Sequence, residues 1–195
     1  MSKNIPREIE KKFLVLNAPE LFNFRTRSDR ETVDKLSHRL EKILNPLRVN
    51  TTSEGRDVFF LIGGKSDFLR LRINDIFGEV TLKHTDKKTT ISRVEYNVEM
   101  TPEECEGIVS MFTYAYGKPA CEIHKLSYTL WFSKTDNVTV YCVDELPGRI
   151  FLETEASTLM SVDMMTAFLV ELGLELEPQS KSLFQICRKE IKNAA

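Results

Sequence analysis

No stretch of eighteen consecutive apolar residues occurs in the chain, so a membrane-crossing helix, which needs about 20, is not expected. The opening residues, Met1-Ser2-Lys3-Asn4-Ile5-Pro6-Arg7-Glu8, hold no apolar run of the kind an export signal needs. An excess of one charge sign is lacking as well: 27 Lys and Arg stand against 29 Asp and Glu, for a net charge of −2. A general nucleic-acid binder carries a basic excess, so nucleic acid at large is not the expected partner. The histidines, His38, His84 and His124, form no metal spacing. The cysteines, Cys105, Cys121, Cys142 and Cys187, form no C-x-x-C pair. That excludes the common zinc clusters and disulfide frameworks, and reduced thiols in a cytoplasmic protein are the expectation. The sequons at Asn50 and Asn137 carry no meaning without secretion. Gly63-Gly64-Lys65-Ser66 resembles the end of a P-loop, but Phe59 stands where the first glycine is required, so a polar turn is the better reading. No G-x-S-x-G occurs. Proline and glycine are few, 7 and 8, and scattered without a linker. The whole chain, 1–195, therefore reads as one domain, at about 150 residues per domain.

What the chain does have is amphipathic order. A first helix is marked by Ser28 with Glu31 three residues on, followed by Val33, Leu36, Leu40, Ile43, Leu44 and Leu47 near helical spacing; Pro46 should end it. A second opens at Thr101-Pro102-Glu103-Glu104 and closes at Gly117. Further helices are predicted over 161–172, before Gly173, and over 182–191. Strands are predicted over 7–15, 56–62, 67–74, 79–85, 91–100, 121–133, 138–145 and 149–156. Trp131 and Tyr128 are expected to pack under helices, and His124 to be a surface or packing histidine.

The period-two alternation of these strands has an unusual content. Glu8, Glu10 and Lys12 share a face; Arg70 and Arg72 oppose Leu69, Leu71 and Ile73; Glu79, Thr81 and Lys83 oppose Val80 and Leu82. Arg93, Glu95, Asn97 and Glu99 oppose Val94, Tyr96 and Val98, and Arg149, Phe151, Glu153 and Glu155 oppose Ile150, Leu152 and Thr154. A solvated outer face accounts for any one such strand. Four amphipathic helices, however, need an apolar surface to cover. If they cover the outside of a curled sheet, the charged faces turn inward. The expected fold is therefore α+β: an eight-stranded antiparallel β-barrel with a charged lumen and helices packed outside.

Bare carboxylates in such a space repel by about 4 kcal/mol for a pair about 4 Å apart at an effective dielectric of 20. Glu8, Glu10, Glu153 and Glu155, with Asp144 nearby in sequence, call for a hard cation such as Mg²⁺ or Mn²⁺. Lys12, Arg70, Arg72, Lys83, Arg93 and Lys125 call for a multiply charged anion, for which phosphate is the usual choice. Both signs together point to a metal-bound polyphosphate.

Glu8-Ile9-Glu10-Lys11-Lys12 matches the E-x-E-x-K signature that opens the CYTH, or triphosphate tunnel metalloenzyme, superfamily. Leu69-Arg70-Leu71-Arg72 resembles its R-x-R strand, Thr81-Leu82-Lys83 the strand of the next phosphate-binding lysine, and Arg93-Val94-Glu95 its R-x-E strand. Asp144-Glu145-Leu146-Pro147-Gly148 resembles the aspartate turn and Phe151-Leu152-Glu153-Thr154-Glu155 the final E-x-E. These motifs stand in order over residues 7–190. The resemblance implies an eight-stranded tunnel fold. It implies that Glu8, Glu10, Asp144, Glu153 and Glu155 hold the metal. It implies that Lys12, Arg70, Arg72, Lys83, Arg93, Lys125 and Lys181 bind the substrate. Glu10 and Lys125 are the catalytic candidates. The chain departs from the pattern at Ile123, where a second basic residue is common, at Asn97, where a third carboxylate is common, in the turn Pro147-Gly148-Arg149-Ile150, and at Lys181, where tyrosine is common.

The implied function is a metal-dependent phosphohydrolase acting on a small triphosphate: inorganic tripolyphosphate, a nucleoside triphosphate or another organic triphosphate. The alternative is a class IV adenylyl cyclase that makes cyclic AMP and pyrophosphate from ATP. Further alternatives are an RNA 5′-triphosphatase, which would make an RNA 5′-triphosphate end the one nucleic-acid partner, and a non-catalytic triphosphate sensor. A homodimer formed through helix faces is a further expectation; a membrane partner is not.

Overall fold

The computed structural model describes residues 7–21, 28–62, 68–84 and 92–194, with side chains described except at 7–8, 19, 21, 51–53, 83–84, 92–95 and 191–194. The elements run β1 (Arg7–Val15), α1 (Ala18–Leu21), α2 (Asp29–Leu44), β2 (Arg48–Leu61), β3 (Phe68–Asn74), β4 (Gly78–His84), β5 (Ser92–Met100), α3 (Pro102–Tyr116), β6 (Cys121–Trp131), β7 (Asn137–Val143), β8 (Ile150–Ala156), α4 (Leu159–Glu171), β9 (Leu176–Pro178) and α5 (Leu183–Ala194). The turn read at Gly63-Gly64-Lys65-Ser66 lies outside the described residues. Among the described residues, no helix is long and apolar enough to cross a membrane.

Local chemistry sets the helix ends. Ser28 is extended, and its Oγ accepts from the Glu31 amide at 3.2 Å, which satisfies one of the orphan donors of α2. The helix stops at Asn45, in the left-handed region at φ 47°, one residue before Pro46. At α3 both halves of the capping box form. Thr101 Oγ1 accepts from the Glu104 amide at 3.2 Å, and Glu104 Oε2 accepts from the Thr101 amide at 2.8 Å. Helix α4 begins before the expected Ser161, because Thr158 Oγ1 accepts the Ser161 amide at 3.1 Å and so serves as the cap.

The chain forms two compact units: Met1–Glu8, Glu54–His124 and Lys181–Ala195 make the first, Ile9–Ser53 and Lys125–Ser180 the second. In the second unit Phe13, Val15, Leu126, Leu130, Val138, Val140, Ile150 and Leu152 form one apolar sheet face. Val33, Leu36 and Leu40 of α2 and Leu169 of α4 close over it. Each buried side chain of this size contributes about 1.5–3 kcal/mol. In the first unit Val58, Phe60, Leu69, Leu71 and Ile73 form the corresponding core, with Cys105, Ile108 and Phe112 of α3 against it. In both units a helix covers the apolar face and the charged residues take the other. That is the arrangement the sequence argument required.

The α+β class with an antiparallel sheet holds; the eight-stranded barrel does not. The sheet has nine strands in the order β5-β4-β3-β2-β6-β7-β8-β1-β9, with a further β5–β1 pairing. The added strand, β9, pairs with Phe13, Leu14 and Val15 of β1. Helix α5 also departs from the expected outer position. Its Phe184 stacks on Phe59 at 5.2 Å and lies 5.0 Å from Phe68, ring centroid to centroid. Phe59 and Phe68 belong to the face that carries Arg70, since Phe59 stands opposite Arg70 on β3. Tyr128 does pack under α2, donating to Asp34 Oδ1 at 2.6 Å. Trp131 does not: odd-numbered, it falls on the other face, beneath Arg48 at 5.0 Å.

Candidate functional site

In the second unit, the antiparallel register builds a charged cluster from residues far apart in sequence. Lys12 of β1 stands opposite Glu153 of β8, and Glu10 opposite Glu155. On β7, Tyr141 stands opposite Phe151 of β8 and Ser127 of β6, two residues from Lys125. All of these side chains therefore share the face away from α2 and α4. Lys12 is buried, its Nζ 3.1 Å from Glu153 Oε1 and 3.4 Å from Glu10 Oε1. The Tyr141 hydroxyl donates to the same Glu153 Oε1 at 2.7 Å. Lys125 is also buried, with Nζ 3.8 Å from the Tyr141 ring centroid, a cation–π distance. Burial alone pushes the Glu153 carboxyl up. The charges of Lys12 and Lys125 and the hydrogen bonds from Tyr141 and Lys12 outweigh it, and the group is held well below the usual carboxylate range.

These oxygens suit a hard cation in chemistry, but the described residues do not complete a site. Among them, no group of three His, Cys, Asp or Glu could hold a metal. Glu10 and Glu155 stand opposite each other in register, like charges across a strand pair, and the Lys12 ammonium lies 3.4 Å from Glu10 Oε1. Glu8, two residues from Glu10 on β1, has its side chain outside the described residues. Asp144 follows β7 in an exposed turn and ion-pairs with Arg30, Nη2 to Oδ2 at 2.8 Å. Glu10, Glu153 and Glu155 thus share a face without forming a metal-holding group among the described residues.

In the first unit, Arg70 and Arg72 occupy one face of β3 by the same alternation, and each is held by a carboxylate that the motifs do not include. Arg72 makes a two-point pair with Asp57 of β2, at 2.7 and 2.8 Å. Asp57 is only 3% exposed. Arg70 Nη2 donates to Glu79 Oε1 at 2.6 Å and to Thr81 Oγ1 at 2.9 Å, while its buried Nε has no hydrogen-bond partner. Burial pushes the Glu79 carboxyl up, but Arg70, Arg72 and the Thr81 hydroxyl bring it below its ordinary value. Lys83 on β4 and Arg93 on β5 have side chains outside the described residues. Lys181 is exposed just ahead of α5.

The register thus joins Glu10, Lys12, Lys125, Glu153 and Glu155 on one face, and Arg70 with Arg72 on another; Asp144 stays with Arg30. Ile123 is fully buried, whereas Asn97 and His124 are exposed. Sequence reasoning passed over Tyr141, Asp57 and Glu79. Tyr141 could have been found from the alternation of β7, which places it with Thr139 and Val143 rather than with the core positions Val138, Val140 and Cys142. Asp57 gave one signal: an acidic residue directly before the apolar run Val58-Phe59-Phe60-Leu61.

No protein-family model matches the chain, and no curated protein matches it significantly. Solved structures match over nearly its whole length. The PH1819 protein from Pyrococcus horikoshii OT3 is similar at a TM-score of 0.66 and 18% identity, covering 94% of this chain and 99% of that one. The Hippeastrum protein HpAC1, a proposed adenylyl cyclase with a dominant triphosphatase activity, is similar at 0.64 and 15% identity, over 93% of this chain and 95% of that one. A candidate adenylate cyclase from Bacillus halodurans is similar at 0.61 and 15% identity, over 92% and 97%. At these identities the likeness is one of fold. The chain shares the fold of these solved structures.

Proposed function

We propose that the chain is a metal-dependent phosphohydrolase acting on a triphosphate. The observation that carries this reading is the charged face of the second unit, where Lys12 and Lys125 are buried beside Glu10 and Glu153. Acids and bases clustered on one buried face, with a strongly shifted carboxyl among them, mark a site suited to a ligand of mixed charge. Lys12 and Lys125 hold nonbridging phosphate oxygens, and Lys125 steadies charge that develops on the leaving group. Glu8, Glu10, Glu153 and Glu155 would hold Mg²⁺ or Mn²⁺, with Asp144 joining if it parts from Arg30. A bound metal would supply charge neutralisation and a polarised water. In the first unit, Arg70, Arg72, Lys83, Arg93 and Lys181 are the phosphate-binding candidates that the resemblance implies. The reported triphosphatase activity of HpAC1 supports ranking hydrolysis above cyclisation.

The test is product analysis with purified protein, tripolyphosphate or ATP, and Mg²⁺ or Mn²⁺. Orthophosphate released by the wild type and lost in Glu10→Ala supports the hydrolase. Lys12→Ala should lose about 100-fold or more in kcat/KM, as expected for a group that stabilises transition-state charge. Cyclic AMP with pyrophosphate would replace the hydrolase by the cyclase. Tight tripolyphosphate binding without product would leave a sensor.

A further inference from the structure

We propose that Tyr141 is a positioning residue that fixes both Glu153 and Lys125, with a separate part of its side chain for each. The inference rests on the roles given above to those two residues. An aromatic side chain on a strand is ordinarily a core residue, but Tyr141 stands on the charged face. Its fully buried ring is stacked on Phe151 with centroids 5.2 Å apart and planes 15° from parallel. That stacking holds the ring in one orientation. The hydroxyl donates to Glu153 Oε1 at 2.7 Å, and Lys12 Nζ approaches the same oxygen at 3.1 Å. Both contacts fall on Oε1. The two donors therefore lock the carboxylate and leave Oε2 as the oxygen it presents to a ligand. The ring face meanwhile lies under Lys125 Nζ at 3.8 Å, a contact that restrains the ammonium. One side chain thus sets the relative positions of an acid and a base that come from strands β8 and β6. Support of this kind decides affinity as much as the ligating groups do.

The two parts can be removed separately. Tyr141→Phe deletes the hydroxyl and keeps the ring; Tyr141→Leu deletes both. In Tyr141→Phe, Mn²⁺ binding followed by calorimetry should weaken about 10-fold, as for loss of a ligand's outer partner. Tripolyphosphate binding without metal should stay within about twofold of wild type, because Lys125 keeps its ring. In Tyr141→Leu both should weaken by about 10-fold or more. A purely structural tyrosine would instead lower the melting temperature of both variants and leave the affinities of the folded protein unchanged, which overturns the proposal. NMR reads the positioning with no ligand present. The Lys125 side-chain protons, shielded by the ring, should hold their shifts in Tyr141→Phe and lose that shielding in Tyr141→Leu. The Glu153 carboxyl carbon should move in both variants. If neither signal moves, the positioning claim is wrong whatever the protein binds. If both behave as expected but the wild type binds neither Mn²⁺ nor tripolyphosphate, positioning stands and the phosphohydrolase reading falls.

Discussion

Carboxylates buried beside arginines behave differently from those at the surface, and Glu79 is the case to test. Its side chain is 18% exposed and meets Arg70 at 2.6 Å. The folded group titrates below its ordinary value. A carboxyl depressed on folding contributes stability above its unfolded pKa, about 4.3, and loses that contribution as pH falls through the folded value. Wild type should therefore be more stable than Glu79→Gln at pH 7, with the gap closing as pH drops below about 4. Urea denaturation of both proteins at several pH values checks this; a gap that widens in acid would refute the ion-pair account. Asp57 raises the same question more sharply. Removing it leaves the Arg72 guanidinium without its two-point partner, and Asp57→Ala should cost about 3–5 kcal/mol, read as a shift of the urea midpoint. Cys142 marks the opposite limit. Burial first, and Asp29 next, push its thiol up to about 11, so in the native protein it should resist alkylation at pH 8 while the denatured chain reacts.

Among the elements, β4 and α3 show how a missing side chain sets a packing distance. A Cβ at Gly78 would stand 2.6 Å from Cys105 Cβ and 2.8 Å from the Thr101 carbonyl oxygen. The start of β4 thus lies against the first turn of α3, and only glycine leaves room. Gly78→Ala should force the helix away at a cost of about 1–3 kcal/mol, seen as a lower melting temperature, whereas Gly107→Ala on the open side of α3 should not. Elements of this length were legible in the sequence because their ends carry their own chemistry. Ser28, Thr101 and Gly117 act as the spacing predicts, and the first long helix stops just before Pro46. The four-residue α1 and the three-residue β9 were not legible, since neither is long enough to show a period. The start of β2 was missed because Gly55 reads as a break. A Cβ there would meet the Ile73 carbonyl oxygen at 2.6 Å, so the glycine serves close strand pairing instead. The site divides in the same way. Glu10, Lys12 and Glu153 follow from alternation alone, while the Phe184 contact with Phe59 and Phe68 depends on a tertiary placement that no local pattern encodes.

For the whole molecule, the proposed ligand should add to the stability that the two cores contribute whatever is bound. A ligand that binds the folded state alone stabilises it by RT ln(1 + [L]/Kd), about 2.7 kcal/mol at a hundred times Kd. At about 2–4 °C per kcal/mol for a chain of this size, tripolyphosphate with Mg²⁺ should raise the melting temperature by about 5–10 °C. Orthophosphate at equal concentration should raise it far less, because one phosphate cannot engage Lys12 and Lys125 together with a metal. Glu10→Ala should abolish the metal-dependent part of the shift, and Lys12→Ala the larger part of the whole. Without ligand, Glu10→Ala leaves Lys12 its Glu153 partner and should melt within a few degrees of wild type, whereas Lys12→Ala strands the Glu153 carboxylate and should melt about 6–20 °C lower, for a cost of about 3–5 kcal/mol. A tripolyphosphate shift that survives both substitutions would place the binding site elsewhere, and the charged face of β1 and β8 would then be a structural ion-pair network.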